Sequence, residues 1–295
     1  MEYYLQLFIN GLVVGGIYSL VALGFVVIYK ATKVVNFAQG EMVMMGAYVC
    51  FGLTVQLSIP FVWAFLMTLG FSIVLGLLIE RLALRPLIGE AHICVIMVTI
   101  GLSSVLKSVV QLIWGTQIRV YPEVLPSTPV MVLGLPVAPV YIAAFVLSGV
   151  LFGLFTLFFK YSRMGIAMRA TAQDQQAAQS MGIGIRGIFA LSWCIACVVS
   201  TVGGVILGNI NGINAHLGVL GLKVFPAVIL GGLDSLLGAA LGGLIIGVLE
   251  NVCDGLAKDL LGLGGFRDVA AFVVLVIILM LKPYGLFGTK DIERV

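Results

Sequence analysis

The sequence predicts an all-α fold, a polytopic transmembrane helical bundle with about eight or nine membrane segments, some of them broken or re-entrant. Three observations predict it. The chain is 61% hydrophobic and only 10% charged, with a mean hydropathy of +1.18; soluble domains carry roughly 25% charged residues. Apolar runs long enough to span a bilayer, about 20 residues, recur along its length. Basic residues gather in the connections between alternate runs, as they do in cytoplasmic loops. A chain this poor in charge cannot cover a water-facing surface, so most of its area must face lipid. The net charge of +3 is small and the cations are dispersed, which excludes a nucleic-acid partner.

The first apolar run covers residues 5–29 and ends at Lys30 and Lys33. It is too long for a signal peptide and lacks a basic leader, so it is expected to remain as a span. The second, residues 36–58, opens on the polar Asn36, Gln39 and Glu41 and is interrupted by Gly40, Gly46 and Gly52. Pro60 separates it from the third, residues 61–79, which stops at Glu80, Arg81 and Arg85. The fourth covers residues 93–114, and a loop with Pro122, Pro126, Pro129 and Pro136 follows. The fifth is residues 139–159.

Residues 160–186 are the longest polar stretch. Within it, residues 167–181 are rich in Ala, Gln and Met and are expected to be helical, stopped by Gly182 and Gly184. At about four turns this helix is too short and too polar to cross. It either connects two spans or docks into a partner. The sixth span is residues 187–208. Residues 209–250 are apolar but Gly-rich, divided at Phe225-Pro226 and Gly231-Gly232. They read as a short or re-entrant helix over residues 222–233 and a span over 236–252. The last span, residues 269–281, stops at Lys282-Pro283.

Charge placement sets the orientation. Lys30, Lys33, Arg81, Arg85, Lys160, Arg163, Arg169, Arg186, Lys282, Lys290 and Arg294 fall on one side, 11 of the 16 basic residues. The positive-inside rule makes that side cytoplasmic, with the N-terminus outside and the C-terminus inside. An odd number of crossings is then required, so residues 222–233 must cross if the rule holds. Re-entry would misplace one terminus.

Glycine is abundant, 37 residues, and small residues let membrane helices approach closely. Gly238, Gly242 and Gly243 with Ala239 and Ala240 form such a face. The broken segments near residues 36–46 and 222–235 are a different signal. Unpaired backbone at membrane depth is tolerated only when buried in protein or lining a watery path, and transporters place substrate sites at such breaks. Asn36, Phe37, Gln39, Gly40, Glu41, Phe225 and Pro226 are therefore candidate path residues. Asn36 and Gln39 offer polar contacts and the Phe37 ring an apolar wall; equally, the two amides serve as helix caps.

Catalytic motifs are absent. His92 and His216 are lone and distant, without the H-E-x-x-H pairing of a membrane metalloprotease, and no G-x-S-x-G elbow occurs. Cys194 and Cys197 form a C-x-x-C pair inside an apolar run, without the context of a metal or redox site. No phosphate-binding G-x-x-x-x-G-K-[ST] loop is present. Energy for transport must then come from another subunit or from an ion gradient. Gradient-driven carriers place ionisable groups within spans, and Glu41, Lys107, Asp234 and Glu250 are the candidates. Lys107, one turn from Gln111, is the best lead for a buried charge.

The chain resembles the permease subunits of bacterial ATP-binding-cassette importers for branched-chain amino acids, LivH type. The resemblance runs through nearly the whole length. It is carried by Gly15-Gly-Ile-Tyr-Ser-Leu-Val-Ala-Leu-Gly24, Val35-Asn-Phe-Ala-Gln-Gly-Glu-Met42, Gly165-Ile-Ala-Met-Arg-Ala170, Phe225-Pro-Ala-Val-Ile-Leu-Gly-Gly232 and Lys282-Pro-Tyr-Gly-Leu-Phe-Gly288. The last departs from the family's frequent Arg-Pro-Gln-Gly. The resemblance implies a single transmembrane permease domain over residues 1–295 in a bacterial inner membrane. It implies that residues 160–186 are a coupling loop seated in a cytoplasmic ATPase, with Arg163, Gly165, Arg169, Ala170, Ala177, Ala178 and Gly182 at the contact. It implies a homologous second permease, two ATPases that bind ATP and magnesium, and a periplasmic substrate-binding protein, with no cofactor on this chain. Related permeases for urea or short amides look similar, and an ion-coupled secondary carrier is the alternative from another class.

Overall fold

A computed structural model describes residues 2–122, 128–132, 135–262, 265–282 and 285–288. Pro126, Pro283, Lys290 and Arg294 lie outside the described residues. The elements in order are α1 (Glu2–Thr32), α2 (Gln39–Phe51), α3 (Phe61–Ile79), α4 (His92–Trp114), a small hairpin of β1 (Val130–Val132) and β2 (Leu135–Val137), α5 (Pro139–Tyr161), α6 (Arg163–Gln173), α7 (Gln175–Ser180), α8 (Ile185–Asn211), α9 (Leu220–Gly231), α10 (Leu236–Leu261) and α11 (Phe266–Leu281). Among the described residues, six stretches are long and apolar enough to cross a membrane: Tyr3–Thr32, Phe61–Leu87, His92–Trp114, Pro139–Tyr161, Ile185–Asn211 and Leu236–Asp259.

A helix apolar on every side belongs in the interior, and α1 occupies it. Its most apolar window is 89% buried, against 17% for the corresponding windows of α4 and α5. The interior is α1 with α8, whose window is 78% buried, and the almost wholly buried α2; α10 packs along α1, and α4 and α5 lie at the periphery. The α1–α10 contact is antiparallel and backbone-close. A Cβ on Gly15 would stand 2.7 Å from Leu244 Cα, and one on Gly243 would meet the Ser19 backbone. Ser19 ties the seam by donating to the Ala240 carbonyl at 2.7 Å. In lipid, where apolar burial does not draw helices together, this intimacy supplies the packing.

Two elements begin inside the bundle. After α1 the chain turns back through residues 33–38, and α2 starts at Gln39. The Gln39 side chain lies against Gly24, eight residues before the end of α1, or about 12 Å in from that end. The predicted second span is thus a 13-residue helix widened by a π-turn over Gly52–Gln56. Beyond α8, Gly212 reverses the chain with φ of 75°, and a 3-10 turn, Ala215–Val219, leads into α9. The Gly40 backbone lies directly against Gly218 and Gly221, so the starts of α2 and α9 meet in the interior.

One end of the bundle collects the cations. Lys30, at the close of α1, is near Arg169 of α6 and Asp234. Arg85 pairs with Glu80 at 3.2 Å. Leu286 and Phe287 return to this end, donating to the carbonyls of Leu230 and Gly231. The opposite end carries the hairpin, the Arg119–Ile213 bridge and the Tyr4–Asp259 hydrogen bond at 2.9 Å.

The helix expected over residues 167–181 begins earlier, at Arg163, and is broken in two. Ser162 caps α6 by accepting from Gly165 N at 2.9 Å. Asp174 interrupts it with extended backbone, φ −152° and ψ 112°, and caps α7 by accepting from the amides of Gln176 and Ala177 at 2.8 and 3.0 Å. Side-chain capping competes with helix continuation at aspartate, which is the physical reason for the break. Gly182, with φ of 83°, ends the segment as expected.

Candidate functional site

The residues that the sequence marks out fall into two groups, one in the interior where α2 and α9 begin and one at the cation-rich end. In the interior, Asn36 and Gln39 are 1% and 0% exposed. Asn36 Oδ1 accepts from Ala38 N at 3.0 Å, and its Nδ2 donates to Gln39 Oε1 at 3.0 Å. Gln39 Nε2 donates to Ser200 Oγ on α8 at 2.6 Å. The two amides thus satisfy the turn before α2 and fasten it to α8. Neither caps α2 in the usual sense, because Ala38 holds the capping position.

The aromatic pair sits on the more open side of this knot. Phe37 and Phe225 are half-buried with centroids 6.1 Å apart, and Phe25 of α1 stands 6.3 Å from Phe225. The Phe37 amide donates to Thr99 Oγ1 at 3.3 Å, which docks α4 on the turn. Pro226 is buried inside α9, where it removes one helical amide next to the Phe225 ring. Gly40 is the contact with Gly218 and Gly221, and no side chain fits there. Glu41 is 8% exposed and directs its carboxylate at Gly218, where a Cβ would stand 3.0 Å from Oε1. Ser103 and Lys107 of α4 are among the polar groups that act on it electrostatically.

Toward the cation-rich end, a cavity of about 280 Å³ opens below the knot. Its lining runs from Asn36 and Thr99 inward past Thr32, Glu90 and His92 to Gln175 of α7. The interior break and the short terminal helices therefore share a space.

In the second group, Gly165, Met168, Thr171 and Ala178 face inward. Gly165 lies against Phe159 of α5, where a Cβ would stand 2.7 Å from Cα. The other face is open: Arg163, Met164, Ile166, Arg169, Gln176, Ala177, Met181 and Gly182 are exposed, and Ala170 is half-buried. Arg169 also donates to the Lys160 carbonyl at 3.3 Å, completing the C-terminus of α5. Met181 is an apolar side chain 84% exposed.

Four residues matter that the sequence does not single out: Thr99, Ser103, Ser200 and Gly218. Thr99, Ser103, Lys107 and Gln111 recur every four residues and so share one face of α4, a signal present in the sequence. Lys107 itself is exposed, not buried as expected, because α4 is peripheral. The C-x-x-C cysteines turn to different neighbours: Cys194 Sγ lies 3.6 Å from the Ile73 carbonyl and Cys197 Sγ 3.5 Å from Met42 Sδ.

Residues 7–282 match the family described as the permease component of branched-chain amino acid transport systems. The chain is 36% identical to the high-affinity branched-chain amino acid transport system permease protein BraD of Pseudomonas aeruginosa, covering 99% of this chain and 98% of that one. It is 32% identical to the LivH permease protein of the same description from Escherichia coli strain K12, again over 99% and 98%. A probable LivH permease of Methanocaldococcus jannaschii is 29% identical over 93% of this chain and 90% of that one. Among solved structures, a chain of PsaBC from Streptococcus pneumoniae in complex with Fab matches with a TM-score of 0.52 at 11% identity, covering 95% of this chain and 92% of that one. That last likeness is one of fold.

Proposed function

This chain belongs to the family of permease components of branched-chain amino acid transport systems, and we propose on that premise that it is the transmembrane permease subunit of an ATP-driven, binding-protein-dependent importer for branched-chain or related amino acids. It works in the cytoplasmic membrane of a bacterium beside a homologous permease. Two cytoplasmic ATPases supply ATP and magnesium chemistry, and an external binding protein delivers the solute.

The observation that carries this reading is the two-part helix α6–α7. It rests by its buried face on the bundle and leaves Arg163, Met164, Ile166, Gln176 and Met181 exposed at the cation-rich end. A face of mixed apolar and basic side chains on the inner side of a membrane suits a protein cleft better than water or lipid. The short α2 and α9 support a path nearby, since their starts meet inside the bundle.

Counted with α2 and α9 as crossing segments, the chain passes the membrane nine times, N-terminus out and C-terminus in. The positive-inside rule favours that count, and the position of α9 is compatible with it. Closing and opening of the path follows from movement of α6–α7, transmitted through Gln175 to the cavity under Asn36. Phe37 and Phe225 form the apolar constriction above it.

Reconstitution tests the proposal. The chain, its sister permease, two ATPases and the binding protein in liposomes should accumulate leucine only with ATP. Accumulation by the chain alone under an ion gradient would replace this reading with that of a secondary carrier.

A further inference from the structure

A helix leaves its last four carbonyls without partners of its own. In α9 all four are answered. Gly232 N donates to the carbonyls of Val228 and Ile229 at 2.9 and 3.1 Å. The other two are answered from the tail of the chain: Leu286 N donates to the Leu230 carbonyl at 2.8 Å and Phe287 N to the Gly231 carbonyl at 3.2 Å. Leu230 and Gly231 are buried, where an unmet acceptor is costly. Backbone meets backbone throughout. A Cβ on Gly285 would strike the Ile229 carbonyl, and one on Gly232 would meet Gly288. Both glycines are left-handed, with φ of 76° and 101°, a conformation open to glycine and strained in other residues. The side chains of the tail add little, for Leu286 and Phe287 are 40% and 49% exposed. Two backbone hydrogen bonds with exposed side chains beside them make a contact that opens at low cost. The seam of α9 with α10 is of another kind: Gly231 lies on Gly238, and Ala227 on Gly242, in the buried bundle.

We propose that the Leu286 and Phe287 amides are positioning groups for transport: they clasp the cation-rich end of α9, keep the Phe225 ring against Phe37, and let go when the path opens. The inference rests on the importer reading above, which supplies the path. Phe225 stands six residues, about 9 Å, before the clasped Gly231, with its ring 6.1 Å from that of Phe37. Pro226 has no amide and weakens the turn that carries the ring. The ring's position therefore depends on how the two ends of α9 are held. One end sits on Gly40 through Gly221; the other is the clasp. Release of the tail loosens the last turn of α9 and leaves its seam with α10 intact. At the cation-rich end, where the bundle meets water, the freed carbonyls exchange tail amides for solvent, so the clasp reverses readily.

The test uses the complete transporter in proteoliposomes. ATP-driven leucine uptake by the unaltered complex checks the importer reading by itself. Leu286→Pro and Phe287→Pro each delete one of the two donors, whereas Leu286→Ala and Phe287→Ala remove only side chains. From vesicles preloaded with leucine and lacking ATP, each proline variant should raise efflux roughly fivefold, the population shift that loss of one hydrogen bond produces. It should also lower the leucine moved per ATP. The alanine variants should match the unaltered complex in both respects. Hydrogen exchange in the unaltered complex gives a readout that does not depend on folding of the proline variants. The amides of Leu286 and Phe287 should exchange slowly at rest and faster during turnover. Proline variants as tight and as efficient as the unaltered complex, alanine variants as leaky as the proline ones, or exchange at these two amides unchanged by turnover overturns the proposal.

Discussion

Gln39 donates to the Ser200 hydroxyl at 2.6 Å across the α2–α8 contact, with both residues buried. This bond fixes the start of a half-length helix inside the bundle, and Asn36 completes it from the other side of the amide. Ser200→Ala leaves a buried amide donor without its partner, at a cost of about 1–3 kcal/mol. Thermal unfolding in detergent should show a lower midpoint for Ser200→Ala than for the unaltered chain. Ser200→Thr, which keeps the hydroxyl, should lie between them.

The α1–α10 seam is sensitive to any added side chain. Gly243→Val places atoms where the Ser19 backbone already sits, and Gly15→Val meets Leu244. Both should abolish a monodisperse peak in size-exclusion chromatography. Gly153→Ala is the control, because nothing stands within 4 Å of a Cβ there, and it should elute as the unaltered chain does.

The break at Asp174 is held by its carboxylate. Asp174→Ala removes an N-cap worth about 1 kcal/mol and lets α6 and α7 merge or fray. With a full transporter, the expected outcome is ATP hydrolysis without matching uptake, so that the ratio of leucine moved to ATP spent falls. Asp174→Asn, also a good cap, should preserve the ratio.

Arg169 donates to the Lys160 carbonyl and lies on the open side of α6. Arg169→Glu should stop uptake and weaken co-elution with the ATPases while the membrane protein stays folded. Arg169→Lys should keep most of the co-elution. An unfolded Arg169→Glu protein would instead assign the residue to the α5 terminus.

Much of this architecture is legible in the chain. Pro60 ahead of a pure apolar run fixes the start of α3, and Glu80 fixes where its regular turns end, so expected and observed bounds coincide over Phe61–Ile79. The break at Asn36 is visible because polar residues interrupt an otherwise spanning pattern, whereas the division expected at Phe225-Pro226 does not occur: α9 runs unbroken through Pro226, and the chain is interrupted at Gly212 and Gly232 instead. The partner that fastens the Asn36 break is not visible. Ser200 lies 161 residues from Gln39, and only the packing of α2 on α8 decides that they meet. Lys107 misleads for a related reason: periodicity identifies its helix but not which helices surround it. The Asp174 cap was readable in principle, since Asp-Gln-Gln-Ala opens a helix, yet high helical propensity on both sides hides it. Residues Gly165 and Ala178, expected at an ATPase contact, are buried against the bundle, while Arg163, Arg169, Ala177 and Gly182 are exposed.

The proposed function requires that an ATPase push α6–α7. Gln176 is exposed on its outer face, so a single cysteine there, with the five native cysteines replaced, reports its neighbour. In inside-out vesicles holding the assembled transporter, Gln176→Cys should form a disulfide with a cysteine placed in the ATPase cleft, at a rate that changes between ATP-bound and nucleotide-free states. Labelling of that cysteine from the external face, or a cross-link indifferent to nucleotide, would contradict it.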